Sequence, residues 1–428
     1  MQQAYLPYHP APVQATVHLP GSKSLTNRAL LLASLSEGTT TLKGVLASQD
    51  TQACQTVLAQ AGVKQQGSLS LGEVTIEGTQ GRLMCPKAGF NCQQSGIMGR
   101  FLPALCAAQQ SGTFFIDAQA QLRQRPMKPL FDALRQLGNH VTFHQEIDQL
   151  PVTLTPHPVK TASLHIDNRL SSQFVSGLLL AGGLLPMGVT LHLTDARQMP
   201  YVAMTQQMMQ DFGVLSESTS EMLTVLGNQS YQSPGEYVIE PDMSTASYFW
   251  ALAMLTQGQV TVLDTACQSI QGDCAFLSLI ERMGANVLQT SHGVQVTGPS
   301  RIQGIHAHMR HCSDTFMTIA VLACFAQTRS IITGIHHTRY QESDRIQAMA
   351  TALEQVGVWV EASDDGLLID PTKNQWQTAQ LDSCGDHRIA MALSLIGLRQ
   401  PGVSIQNAAC VAKTCPDYFA KMWHILGY

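Results

Sequence analysis

Ten consecutive residues, His336-His337-Thr338-Arg339-Tyr340-Gln341-Glu342-Ser343-Asp344-Arg345, hold two histidines, two arginines and two carboxylates in a chain that is only 13% charged. Carboxylates can take and return protons, and guanidinium forks bind phosphate or carboxylate bidentately, so the stretch has the makings of acid–base chemistry on an anion. A structural reading competes with this one. Ser343 and Asp344 can cap an amphipathic helix over Ile346 to Val356. A cap needs one small acceptor, however, and leaves Arg339, Glu342 and Arg345 unexplained.

Other stretches share this character. Leu19 to Arg28, LPGSKSLTNR, places Lys23, Ser24 and Arg28 at the start of an apolar helical run, where free N–H groups and the helix dipole favour an anion. Its spacing is not that of a P-loop. Gln94 to Arg100, QSGIMGR, contains Gly96 and opens a second such helix, and Arg123-Gln124-Arg125-Pro126 precedes another, with Pro126 expected in its first turn. Ser171-Ser172-Gln173, Asp386-His387-Arg388 and Ala412-Lys413-Thr414 occupy similar places. Any one of these is accounted for by a cap or a solvated charge. Their recurrence is not, because Lys23, Arg28, Arg125, Arg345, Arg388 and Lys413 are a large share of the 25 Lys and Arg residues. Brought together, they call for a substrate bearing phosphate and carboxylate groups. Asp314, in HCSDTFMTIA, and Glu342 are the carboxylates placed to act as acid or base, with an N-cap as the alternative for Asp314.

The elements that must position these residues repeat. Apolar residues followed by glycine close a helical pattern at Gly62, Gly138, Gly213, Gly284, Gly357 and Gly427, at spacings of 76, 75, 71, 73 and 70 residues. Five of the six units also contain a glycine before a β-branched strand, at Gly38, Gly112, Gly188, Gly258 and Gly402; the fifth unit has Thr328-Arg329 instead. Each unit reads as a βαβαββ motif, too small to bury its own helices. Six units over 428 residues give two α/β lobes of three repeats, with a small-molecule site expected in the cleft between them.

Bulk properties narrow the function classes. A net charge of −5 gives no basic face for nucleic acid or an anionic membrane. Met1 to Pro12 has no leader pattern and no apolar run reaches spanning length, so a soluble cytoplasmic protein is expected. The eleven cysteines are odd in number and form no CxxC pair; free thiols are expected rather than disulfides or metal sites.

At these residues the chain resembles the 5-enolpyruvylshikimate-3-phosphate (EPSP) synthase family. The resemblance runs through LPGSKSLTNRALLLASL, RQRPMKPLFDALR, SSQF, PYVAMT, SYQSPGEYVIEPDMSTASYF, ESDRI, DHRIAMA and AKTCPDYF, over essentially the whole length. It implies an inside-out α/β barrel with one lobe at 21–241 and the other formed by 1–20 plus 242–428. The reaction it implies moves the enolpyruvyl group of phosphoenolpyruvate (PEP) to the 5-hydroxyl of shikimate 3-phosphate in a monomeric enzyme of aromatic amino acid biosynthesis, without cofactor or metal. Lys23, Gly96, Arg125, Gln173, Arg345, Arg388 and Lys413 then fall at PEP-contacting positions. Ser24, Arg28, Ser171, Ser172, Gln198, Tyr201, Asp314, His337 and Gln341 fall on the acceptor side. The resemblance gives Asp314 the hydroxyl proton and Glu342 the proton delivered to PEP, with Lys23 also catalytic.

The departures from the family pattern gather in one place. Gln341 stands where close relatives carry Lys, His337 where they carry Asn and Gln198 where they carry Ser, all on the acceptor side. Gln94-Ser95-Gly96-Ile97 replaces the usual Asn-Ala-Gly-Thr, a change of the kind associated with reduced glyphosate sensitivity. An amide cannot lend charge to a phosphate, and losing one charged contact costs roughly 1.5–3 kcal/mol. Two further readings follow: the same transfer to a different, possibly unphosphorylated, cyclic acceptor, and a non-catalytic binding protein that retains the pocket.

Overall fold

A computed structural model describes residues 2–159, 161–195 and 199–428. Gln198 lies outside the described residues. The chain forms two compact units, Gly21–Ile239 and residues 1–20 with Glu240–Tyr428.

Each unit contains three small sheets built to one plan. In the second repeat, strand Phe90–Asn91 runs parallel to Phe114–Asp117 across helix Gly96–Ala107, and a hairpin of His140–Phe143 and Val152–Thr155 adds antiparallel to it. The strand order therefore reads first, second, fourth, third, as the βαβαββ pattern requires. Two repeats borrow their first strand from a distant part of the chain. Glu236–Val238 pairs with Thr39–Lys43 in one unit, and Gln14–Val17 pairs with Gln259–Leu263 in the other. The sixth repeat departs from the expected motif: helix Tyr418–Leu426 is its last element, and its sheet has Ala379–Asp382 and Val403–Gln406 but no following hairpin among the described residues. Gln3–Ala4 takes the vacant edge, pairing antiparallel with Val403–Gln406.

One helix of each repeat is apolar beyond its first turns, and such a helix must be buried on nearly every face. All residues of Met243–Thr256, Phe316–Cys324 and His387–Ser394 are buried in one unit. In the other, Lys23–Leu35, Gly96–Ala107 and Ser172–Gly182 are buried over almost their whole length. The remaining helices are amphipathic: Lys128–Gln136 turns Leu130, Phe131 and Leu134 inward. Its first turn holds Pro129; Pro126, expected there from the sequence, precedes the Met127 N-cap. The six repeat-closing glycines all have φ between 80° and 106°, the left-handed cap that lets a helix stop and the chain reverse. All eleven cysteines are free thiols, six of them buried. Among the described residues no helix is long and apolar enough to cross a membrane.

Candidate active site

Arg345 is the first residue of helix Arg345–Gln355 and its side chain is 2% exposed. A cation at that end opposes the helix dipole, so carboxylates must hold it there. Its Nε donates to Asp386 Oδ2 at 2.8 Å, Nη1 to Asp314 Oδ1 at 3.0 Å and Nη2 to Glu342 Oε2 at 2.9 Å. Burial pulls the guanidinium pKa down, but the charges of Asp386, Glu342 and Asp314 outweigh it and the net shift is upward. Nη1 also donates to Gln341 Oε1, so the amide of Gln341 is turned onto the arginine.

The network extends by one contact on each side. Arg388, at the start of helix His387–Ser394, reaches Asp314 Oδ2 at 2.7 Å, and Lys413 reaches Glu342 Oε1 at 2.9 Å. Asp386 is the cap of that helix, accepting from Arg388 N at 2.9 Å. Asp314 lies in the turn Arg310–Thr315 and pairs with the two arginines, while the helix behind it, Phe316–Cys324, has no side-chain cap bond. The capping alternative for Asp314 is not what the structure shows. Of the two residues expected to cap the next helix, only Asp344 does so, accepting from Gln347 N at 3.0 Å; Ser343 Oγ donates to Asp386 Oδ2 at 3.3 Å. Arg339 stands outside the cluster, pinned by Asp344 and by the carbonyls of Ser363 and Asp364.

His337 Nε2 lies 2.9 Å from Ser313 Oγ beside this network. Burial, with Arg310 nearby, holds its pKa at about 4, so the ring is neutral at physiological pH. Asp273 is 4% exposed and accepts from Ser244 Oγ at 2.7 Å. Burial first, and the charge of Asp314 second, push its carboxyl up to about 7.

The Gly21–Ile239 unit carries a second cationic cluster, again at helix starts. Lys23 opens Lys23–Leu35, is 8% exposed, and meets Asp50 at 3.6 Å. Arg100 Nη1 donates to Gln173 Oε1 at 3.0 Å and to Gly96 O at 3.2 Å. Arg125 approaches from the other side: a Cβ added to Gly96 would lie 2.9 Å from Arg100 Nη1 and 3.0 Å from Arg125 Nη1. Ser171 caps helix Ser172–Gly182, accepting from Gln173 N at 3.2 Å, which turns Gln173 toward these arginines.

Arg28 sits one turn into Lys23–Leu35, 1% exposed. It donates to Thr205 Oγ1 at 2.8 Å and to the carbonyls of Ser24 and Tyr201 at 3.0 and 3.3 Å. No carboxylate pairs with it among the described residues, and burial lowers its pKa to about 10. A buried cation held by neutral dipoles is ready for an anion.

Residue types and spacing alone did not assign Arg100, Asp386, Asp50, Thr205 or Asp273. Arg100 is four residues after Gly96, one helical turn, and Asp386 precedes a His-Arg pair at a helix start, so both left a local trace. Asp50, Thr205 and Asp273 left none, since each acts through a partner distant in sequence.

Residues 7–422 match the family model for EPSP synthase, 3-phosphoshikimate 1-carboxyvinyltransferase. The chain is 37% identical over 415 residues to the 3-phosphoshikimate 1-carboxyvinyltransferase of Aeromonas salmonicida, with 96% of each covered. It is 35% identical over 418 residues to that of Trichormus variabilis, with 97% of each covered. Among solved structures, an EPSP synthase from Acinetobacter baumannii matches with a TM-score of 0.83 at 25% identity, covering 100% of this chain and 98% of that one. The enolpyruvyl transferase NikO from Streptomyces tendae shares the fold, with a TM-score of 0.76 at 18% identity, covering 99% and 97%.

Proposed function

We propose, from the premise that this chain belongs to the EPSP synthase family, that it transfers the enolpyruvyl group of PEP to the 5-hydroxyl of shikimate 3-phosphate and releases phosphate. The observation that carries this reading is a pair of buried cation clusters, Lys23, Arg100 and Arg125 in one unit and Arg345, Arg388 and Lys413 in the other, with Lys23, Arg345 and Arg388 at helix starts. Helix dipoles disfavour cations there, and the carboxylates that hold them, Asp314 and Glu342 among them, are groups whose place an anionic substrate can take.

In the reaction the acceptor hydroxyl loses a proton to Asp314 while its oxygen attacks C2 of PEP. The methylene carbon gains a proton from Glu342, giving a tetrahedral adduct. Expulsion of phosphate and return of the methyl proton regenerate the vinyl group on the acceptor. Glu342 bridges Arg345 and Lys413, and Asp314 bridges Arg345 and Arg388. PEP oxygens entering this network would take over bonds from the carboxylates and free them for proton transfer. Incubation with PEP and shikimate 3-phosphate is expected to release phosphate with saturation in both substrates; no release at millimolar concentrations would reject the reading.

One observation favours a second reading of the acceptor. Gln341 is neutral and engaged with Arg345, and neutral His337 stands nearby. An acceptor lacking the 3-phosphate suits such a surface better. If shikimate itself supports faster phosphate release than its 3-phosphate, this reading holds. If Gln341→Lys leaves the KM for shikimate 3-phosphate unimproved, position 341 does not limit the acceptor.

A further inference from the structure

The three buried helices of the Gly21–Ile239 unit carry Lys23, Gly96 and Gln173 at their starts, and their other ends line a cavity of about 490 Å³. This size lies within the roughly 300–1,000 Å³ of small-molecule sites. Leu35 ends the first helix, and Ala108 and Gly183 cap the second and third; all three are buried. Helix C-termini present carbonyl oxygens and the negative end of the dipole, an environment that favours a cation. Among the described residues no carboxylate lines the cavity.

The other unit shows what such a place accepts. There a cavity of about 170 Å³ is lined by the corresponding helix ends, Leu255, Phe325 and Arg399. Arg399, the cap of Leu395–Leu398, donates Nη1 to Leu255 O at 2.6 Å. A guanidinium thus sits against the end of helix Met243–Thr256 in that unit. Counted back three residues from the strand glycines Gly402 and Gly188, the position matching Arg399 is Leu185, so no charged side chain from that position reaches the larger space.

Arg82 lines the same cavity, is exposed, and has no ion-pair partner among the described residues. Leu83 and Leu184 are apolar residues of its wall. We infer that this cavity binds a small zwitterion, an α-amino acid with an apolar side chain. Its ammonium meets the helix C-termini as Arg399 does in the other unit, and its carboxylate meets Arg82. Nothing in this inference depends on the proposed reaction.

Calorimetric titration of the full-length protein with L-leucine, L-methionine and L-phenylalanine tests it, with phenethylamine and 3-phenylpropionate as ligands lacking one charge. Binding of at least one amino acid is expected at millimolar or lower concentration, with at least tenfold weaker binding of either single-charge compound. Arg82→Ala should weaken amino-acid binding at least tenfold and leave phenethylamine unchanged, and Leu184→Trp should abolish both by filling the space. No binding of any amino acid, or binding unaffected by Arg82→Ala, would overturn the inference. Because Arg82 is exposed, that variant remains a valid test even if Leu184→Trp fails to fold.

Discussion

A methyl group at position 96 would stand within 3.0 Å of both Arg100 Nη1 and Arg125 Nη1, so glycine there keeps open the space between two guanidinium groups. Gly96→Ala is expected to raise the KM for PEP about tenfold, the effect of ~1.4 kcal/mol, with an unchanged melting temperature. Steady-state kinetics beside a thermal melt would separate this from a folding defect. His337 offers a test of the other cluster. Its folded pKa of about 4 lies below the ordinary 6.5, so between those values the unfolded chain binds more protons and stability falls as pH drops. Arg310 and Arg345 reinforce the depression, while Asp314 and Asp365 oppose it. His337→Asn should therefore flatten the loss of stability between pH 6.5 and 4. An unaltered acid limb in urea titrations at a series of pH values would show that the ring carries no such linkage.

Helix ends do two jobs in this fold. Their starts carry the cations of the site, and their stops carry the glycines that let each repeat turn back. Gly357, after Arg345–Gln355, has φ +80°, and a Cβ there would lie 1.8 Å from Gln375 O. Gly357→Ala is expected to destabilise the Glu240–Tyr428 unit by on the order of 2 kcal/mol, combining left-handed strain with displacement of that carbonyl. Denaturant unfolding checks this, and a variant as stable as the parent would show that the closing turn relaxes freely. Because Arg345 opens the same helix, a looser C-terminal end with intact activity would further show that the site depends on the helix start alone.

At the scale of the molecule, the chain's first residues complete its last repeat. Gln3–Ala4 covers the Val403–Gln406 edge, and Ala4 and Leu6 are both 2% exposed. Deleting residues 2–6 removes this pairing and the burial of a leucine, a loss of about 3 kcal/mol. Hydrogen exchange is expected to accelerate in Val403–Gln406 and its neighbours while helix Gly96–Ala107 keeps its protection. Equal acceleration in both would mean that the strand supports more than its own sheet.

Much of this was legible in the order of residues. Helix stops at left-handed glycines, all-apolar helices and the six-fold period are local properties, set by backbone sterics and side-chain hydrophobicity within some seventy residues, and the sequence alone determined them. It also placed Lys23, Arg345 and Arg388 at helix starts, because caps and apolar runs are short-range signals. Contacts between distant positions were decided by the tertiary structure. Arg339 and Arg345 are equally basic and six residues apart, yet one pins a loop and the other joins three carboxylates. Burial first, and then the charge of Asp314, 41 positions later, push the carboxyl of Asp273 up to about 7. Gln3–Ala4 found its role 400 residues away. Pairing, burial and electrostatic coupling depend on distance in space, and folding sets that distance.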